Sequence, residues 1–82
     1  MISIDIMDIL KYELEIKRHA FERAMQRGIH PNMIEDTIFN GKIKRFGKHG
    51  VKFISKGTKR TIICVGEIAG NKLKIFTIEE GN

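Results

Sequence analysis

The 82-residue sequence contains a single cysteine, a single proline, a single tyrosine and no tryptophan. One cysteine excludes a disulfide within the chain, and the place of Cys64 inside the apolar run Thr61–Val65 indicates a buried thiol in a reducing compartment. No apolar run approaches the ~20 residues that span a bilayer. The N-terminus has an acid at Asp5 and no basic leader, unlike a secretion signal. These absences predict a cytoplasmic protein with no membrane segment.

Residues typical of metal or nucleotide chemistry are also few. The three histidines and the cysteine stand at positions 19, 30, 49 and 64, without the spacing of metal ligands. No Walker-type loop or dinucleotide-binding glycine cluster occurs. We therefore expect no metal and no cofactor. The length is sufficient for a single domain, residues 1–82, with one modest core.

Acidic residues are missing from Gly41 to Gly66, where every charged side chain is a lysine or an arginine. The whole chain has a formal net charge of +5. Such a charge attracts phosphates and anionic surfaces. We therefore expect a polyanionic partner, RNA before others. Together with Arg27 on a predicted helix, the candidate phosphate- or RNA-binding residues are Lys42, Lys44, Arg45, Lys52 and Lys59.

Hydrophobic periodicity predicts an α+β domain. The expected elements are a short helix over about 3–11, a strand at 12–16, helices from about Arg18 to Arg27 and from Pro31 to Asn40, and strands at 43–46, 51–55, 61–67 and 73–78. We expect two or three N-terminal helices packed on one face of a three- to four-stranded antiparallel sheet. The other face would carry many of the cations, while Phe46 and Phe53 would lie in the core.

One predicted helix carries a stripe of side chains suited to phosphate chemistry. His19, Arg23 and Arg27 lie four residues apart in succession and share one helix face. A guanidinium offers a planar fork of donors to phosphate oxygens, and a histidine can transfer a proton near neutrality. From spacing alone, a solvated helix face with Glu22 paired to Arg18 or Arg23 is the favoured explanation.

The run from His19 to Ile29, His-Ala-Phe-Glu-Arg-Ala-Met-Gln-Arg-Gly-Ile, resembles the opening of domain-of-unknown-function family 4258, a family of small prokaryotic domains. A second helix ending in Asn-Gly and a last strand ending in a threonine, here Thr77, fit the same pattern. The resemblance covers about Tyr12 to Glu79. It implies a fold similar to RelE-type toxins and related metal-independent ribonucleases, in which helices cover one face of an antiparallel sheet and RNA lies on the other.

The resemblance also implies roles for individual residues. It implies a proton-transfer group at His19, phosphate-binding groups at Arg23 and Arg60, and a polar sheet residue at Thr77, which together would form a catalytic site. RelE-type toxins often use a tyrosine late in the chain, whereas the only tyrosine here is Tyr12. Their particular mechanism is therefore not carried over.

Three functions are consistent with these patterns. The first is a metal-independent endoribonuclease, the toxin of a toxin–antitoxin pair. The second is an RNA-binding module without chemistry, in which the helix stripe is only surface. The third is a protein-interaction domain whose basic face docks an acidic partner such as an antitoxin.

Overall fold

The computed structural model describes residues 11–81. Its elements are β1 (Glu13–Ile16), α1 (Arg18–Gln26), α2 (Pro31–Asn40), β2 (Lys42–Phe46), β3 (Gly50–Lys56), β4 (Thr61–Ala69) and β5 (Lys72–Gly81). The two helices and the strands predicted after residue 11 are confirmed as elements, with ends that differ by a few residues. The helix predicted over 3–11 lies outside the described residues, except for its last position.

The five strands form one mixed sheet in the order β1-β5-β4-β3-β2. β1 runs parallel to β5, with Leu14 opposite Leu73, whereas the other neighbouring strands are antiparallel. The predicted antiparallel sheet of three to four strands packed against two or three N-terminal helices is therefore wrong in strand number and in strand direction. The strand predicted at 12–16 joins the sheet as β1, a parallel edge strand. Alternation of apolar residues indicates that a segment is a strand, but its partner and direction depend on contacts distant in sequence.

Both helices contribute to a core on the same face of the sheet. α1 buries Ala20 and Ala24, whose small side chains let the helix lie close to β5, and α2 buries Ile34 and Ile38 against β3 and β4. The sheet adds Val51, Phe53, Ile62, Cys64, Leu73, Ile75 and Ile78. Within residues 11–81, no helix has the length and hydropathy needed to cross a bilayer.

β5 contains one extra residue relative to β4. Thr77 lies opposite Val65, but Ile75 lies opposite Gly66, so Phe76 has no partner and forms a β-bulge. The bulge shifts the alternation of side chains by one position. As a result, Phe76 and Thr77 are exposed, in the middle of β5 beside α1.

Gly66 permits the close approach of β4 and β5 at the bulge. A Cβ atom at this position would overlap the backbone carbonyl oxygen of Lys74. The same shift lets Ile78 enter the core three residues after Ile75, a spacing that a regular strand would not allow. Gly66 and the bulge thus determine which side chains of β5 are available for function.

Candidate active site

A cleft of about 330 Å³ lies between α1 and the second half of β5. β1 pairs with β5 only as far as Ile75, so among the described residues the later part of β5 has a neighbouring strand on the β4 side alone. α1 borders the other edge. The cleft is lined by His19, Ala20, Arg23 and Arg27 from the α1 side, and by Phe76, Thr77, Ile78 and Glu79 from β5.

Four of the residues proposed from the sequence meet at this cleft. α1 presents His19, Arg23 and Arg27 one turn apart, and the bulged part of β5 presents Thr77. All four are exposed. In the part of the chain that the structure describes, the imidazole and the two guanidinium groups have no hydrogen-bond or ion-pair partner. Their donors are therefore available to a ligand.

The sequence left open whether Glu22 pairs with Arg18 or with Arg23, and the structure shows a pair with Arg18. Nε of Arg18 donates to Oε2 of Glu22 at 3.1 Å, and both side chains are exposed to solvent. An exposed pair of this kind contributes little to stability. Glu22 is thus paired with Arg18, and Arg23 makes no ion pair within residues 11–81.

Arg60 lies outside the lining of the cleft and is held in what we call the Arg60 clasp, formed with Glu80 and the carbonyls of Arg27 and Gly28. Its Nε and Nη2 donate to Oε2 and Oε1 of Glu80 at 3.0 and 3.1 Å. Its Nη1 donates to the Gly28 carbonyl and its Nη2 to the Arg27 carbonyl, both at 3.1 Å. Because nearly all the donors of a guanidinium are used in this way, the geometry supports a role for Arg60 in anchoring α1 to β5.

The clasp also affects the electrostatics beside the cleft. Hydrogen bonds from Arg60 hold the pKa of Glu80 below its ordinary value, and the positive charge of Arg27 acts in the same direction. Arg27 therefore lies in the field of a carboxylate. Neither Arg23 nor Arg27 makes an ion pair within residues 11–81, and both line the cleft as candidates for binding a phosphate.

The sequence analysis did not identify two residues of the cleft. Glu79 brings a carboxylate to the same cavity as the His19 imidazole, so the site holds two groups that can exchange protons. Phe76 brings an aromatic ring, with Nζ of Lys17 5.9 Å from its centroid. The sequence feature that could have indicated this exposed part of β5 is Gly66, because an isolated glycine within a strand pattern indicates a bulge or a close backbone approach.

The other proposed RNA-binding residues lie on different surfaces. The register of β2 with β3 places Lys42, Lys44 and Lys52 on the sheet face opposite the helices, which we call the open face. Arg45 alternates to the other side of β2. Lys59 follows β3 and lines a separate cavity of about 540 Å³ beside α2. The predicted basic surface is thus divided, and only its open-face part is continuous.

No cluster of three or more His, Cys, Asp or Glu side chains that could hold a metal ion occurs between Lys11 and Gly81. Comparisons with protein-family models, with curated proteins and with solved structures found no match to the chain. The resemblance to family 4258 stays a prediction based on the run His19–Ile29. The function is therefore argued from the cleft and the open face.

Proposed function

We propose that the protein is a metal-independent endoribonuclease whose active site is the cleft between α1 and β5. One observation carries this proposal: His19, Arg23 and Arg27 share a cleft with Thr77, which is far from them in sequence. Helical spacing alone explains why His19, Arg23 and Arg27 lie together. It does not account for a polar strand residue and a carboxylate, Glu79, on the opposite wall.

In the proposed reaction, the 2′-oxygen of a ribose bonds to the adjacent phosphorus while the bond from that phosphorus to the 5′-oxygen breaks. A base takes the proton of the 2′-hydroxyl, and an acid gives a proton to the departing 5′-oxygen. The products end in a 2′,3′-cyclic phosphate and a 5′-hydroxyl. We assign Glu79 as the base and His19 as the acid, because both line the cleft, a carboxylate oxygen can accept a proton and an imidazole N–H can donate one.

The two arginines would bind the phosphate and stabilise the charge that develops on its oxygens. Guanidinium groups match phosphate oxygens in geometry, and removal of one such donor typically slows catalysis about 100- to 1,000-fold. The Thr77 hydroxyl can donate one further hydrogen bond. Arg60 acts indirectly in this proposal, by holding the end of α1 and hence Arg27 beside β5.

A second candidate is an RNA-binding module that does not cleave. The specific observation in its favour is that the His19 imidazole has no hydrogen-bond partner in residues 11–81. A catalytic histidine is usually oriented by a third group. If nothing orients His19 when RNA binds, the cleft would hold a phosphate without chemistry.

An acidic protein, such as an antitoxin, is proposed as a second partner. The support is the concentration of lysines on the open face, where such a protein would meet Lys42, Lys44 and Lys52. An antitoxin bound there is expected to compete with RNA. A protein-interaction domain without RNA binding is the third possibility, and the experiment below separates it from the other two.

The test is cleavage of a mixed-sequence single-stranded RNA in EDTA, with product ends identified by mass spectrometry. The parent is compared with His19→Ala and Arg23→Ala, and with Gln26→Ala as a control at an exposed position of α1 outside the cleft. We expect cyclic phosphate ends from the parent, roughly 100-fold slower cleavage in the first two variants and no change in the control.

The proposal is wrong if His19→Ala cleaves as fast as the parent. RNA that stays intact but binds, with affinity falling as salt rises, identifies the non-catalytic module. No binding of RNA at all leaves the protein-interaction domain. Circular dichroism of each variant establishes that the comparison is between folded proteins.

A further inference from the structure

Phe46 at the end of edge strand β2 is 48% exposed. The prediction that it lies in the core is wrong, whereas Phe53 is fully buried as expected. The reason is the alternation of β2, which directs Phe46 to the open face together with Lys44. Packing of the core therefore does not explain why a large aromatic residue stands here.

The Phe46 ring lies over the neighbouring strand. Phe46 lies directly opposite Gly50, and a Cβ atom at Gly50 would overlap Cδ2 and Cε2 of the ring. One side of the ring therefore rests on the backbone of β3. The residue is 48% exposed, so the ring also presents a flat apolar surface to solvent on which a base can stack.

Two lysines stand beside this ring. Lys44 lies directly opposite Lys52, and both line a groove of about 400 Å³ with Phe46 and Val65, to which Arg45 also contributes. Like charges directly opposite each other destabilise a sheet. Neither lysine amine has an ion-pair partner in the described part of the chain. A bound anion would relieve this repulsion.

The groove is connected to the cleft by a single row of side chains across the sheet. Lys52 lies opposite Val65, and Val65 lies opposite Thr77, which lines the cleft. Neighbouring strands are about 4.8 Å apart, so the row from β2 to β5 spans about 14 Å. A few nucleotides of an extended strand can cover this distance, with one phosphate in the cleft and a nearby base at Phe46.

We propose that Phe46, Lys44 and Lys52 form a binding site for single-stranded RNA, the Phe46 platform. One base stacks on the exposed side of the Phe46 ring, and the flanking phosphates contact the two lysines. The bases of a duplex are already stacked and paired, so a duplex cannot occupy the platform in this way. The choice of RNA rests on the proposed function, but the platform takes no part in the chemistry.

Binding is measured by fluorescence anisotropy of a labelled single-stranded RNA 12-mer with 2′-O-methyl groups, which cannot be cleaved through its 2′-oxygen. Phe46→Ala is expected to weaken binding at least about fivefold, the loss of one stacked base. Phe46→Leu keeps an apolar group over Gly50 and should lose as much. Phe39→Ala on α2, where Phe39 is 44% exposed, is the matched control and should bind like the parent.

Lys44→Ala and Lys52→Ala are each expected to reduce the slope of log affinity against log salt by about 0.7. Lys72→Ala removes the same charge at the start of β5, where Lys72 lies beside Glu15 and outside the linings of both the cleft and the groove, and it should leave the slope unchanged. Binding by Phe46→Ala and Phe46→Leu at the parent's affinity would overturn the platform. So would equal affinity for a duplex of the same sequence, or binding only to an acidic peptide such as polyglutamate.

The two proposals fail separately. If the parent binds the 12-mer through Phe46 but cleaves no RNA, the platform is supported and the nuclease is refuted. If the parent cleaves RNA through His19 while both Phe46 variants bind normally, the nuclease is supported and the platform is refuted.

Discussion

Replacing Arg60 with alanine removes the guanidinium that joins the end of α1 to β5. In the folded protein it donates to the carbonyls of Arg27 and Gly28 and to the Glu80 carboxylate. The resemblance to family 4258 implies a phosphate-binding Arg60, whose loss would impair RNA processing and leave stability unchanged. The Arg60 clasp predicts a loss of stability instead.

The expected loss of stability on replacing Arg60 follows from the hydrogen bonds that its side chain makes. A hydrogen bond to a neutral acceptor contributes about 1 kcal/mol net, so the two carbonyl bonds account for about 2 kcal/mol of the free energy of unfolding. The side chains of Arg60 and Glu80 are 29% and 42% exposed, so water screens their ion pair, and its small contribution is left out of this figure. For a domain of this size, about 2 kcal/mol lowers the melting temperature by roughly 8–16 °C.

The assay is urea unfolding of parent and variant, followed by circular dichroism. Lys59→Ala is the control, because Lys59 is the adjacent residue, is exposed and makes no hydrogen bond within residues 11–81. It should stay within about 0.5 kcal/mol of the parent. If Arg60→Ala also stays within this range, the clasp does not stabilise the protein and the reasoning from its hydrogen bonds is wrong.

The stability of Arg60→Ala should also depend on pH differently from that of the parent. Arg60 lowers the pKa of Glu80 from its ordinary value of 4.5. A carboxylate with a lowered pKa in the folded state stabilises the protein above its ordinary pKa and loses this contribution as the pH falls towards the folded value. Between about pH 5 and about pH 3, the parent should therefore lose more unfolding free energy than Arg60→Ala. Equal losses would contradict the assignment.

Two further predictions concern the core. Gly66→Ala should cost more than about 2 kcal/mol or prevent folding, because the new Cβ would overlap the Lys74 carbonyl. A new Cβ at Gly81 would meet the end of the Ile63 side chain, which can move, so Gly81→Ala should cost much less in the same urea assay. Equal costs for the two variants would contradict the close approach of β4 and β5 at Gly66. Burial raises the pKa of Cys64 to about 12, so iodoacetamide at pH 8 should label it only after unfolding in urea. Mass spectrometry measures the labelling, and equal rates for the native and unfolded protein would show that the thiol is accessible.

Part of the candidate site was predictable because it is local. His19, Arg23 and Arg27 share one helix, and the geometry of that helix alone places them in a stripe. Thr77 was named through the family resemblance, and its proximity to the stripe depends on the packing of α1 beside β5. The position of Arg60 was not predictable, since a sequence shows a cation but does not show which acceptors surround it.

The amino-acid sequence by itself determined the types of most elements, the helix stripe and the basic character of β2 and β3. These depend on periodicity and composition within short segments. Only the tertiary structure decided the parallel pairing of β1 with β5, the bulge at Phe76, the clasp around Arg60 and the exposure of Phe46. Each of these depends on how closely two backbones approach and which partner each strand takes, and those distances are set by contacts between residues far apart in the chain.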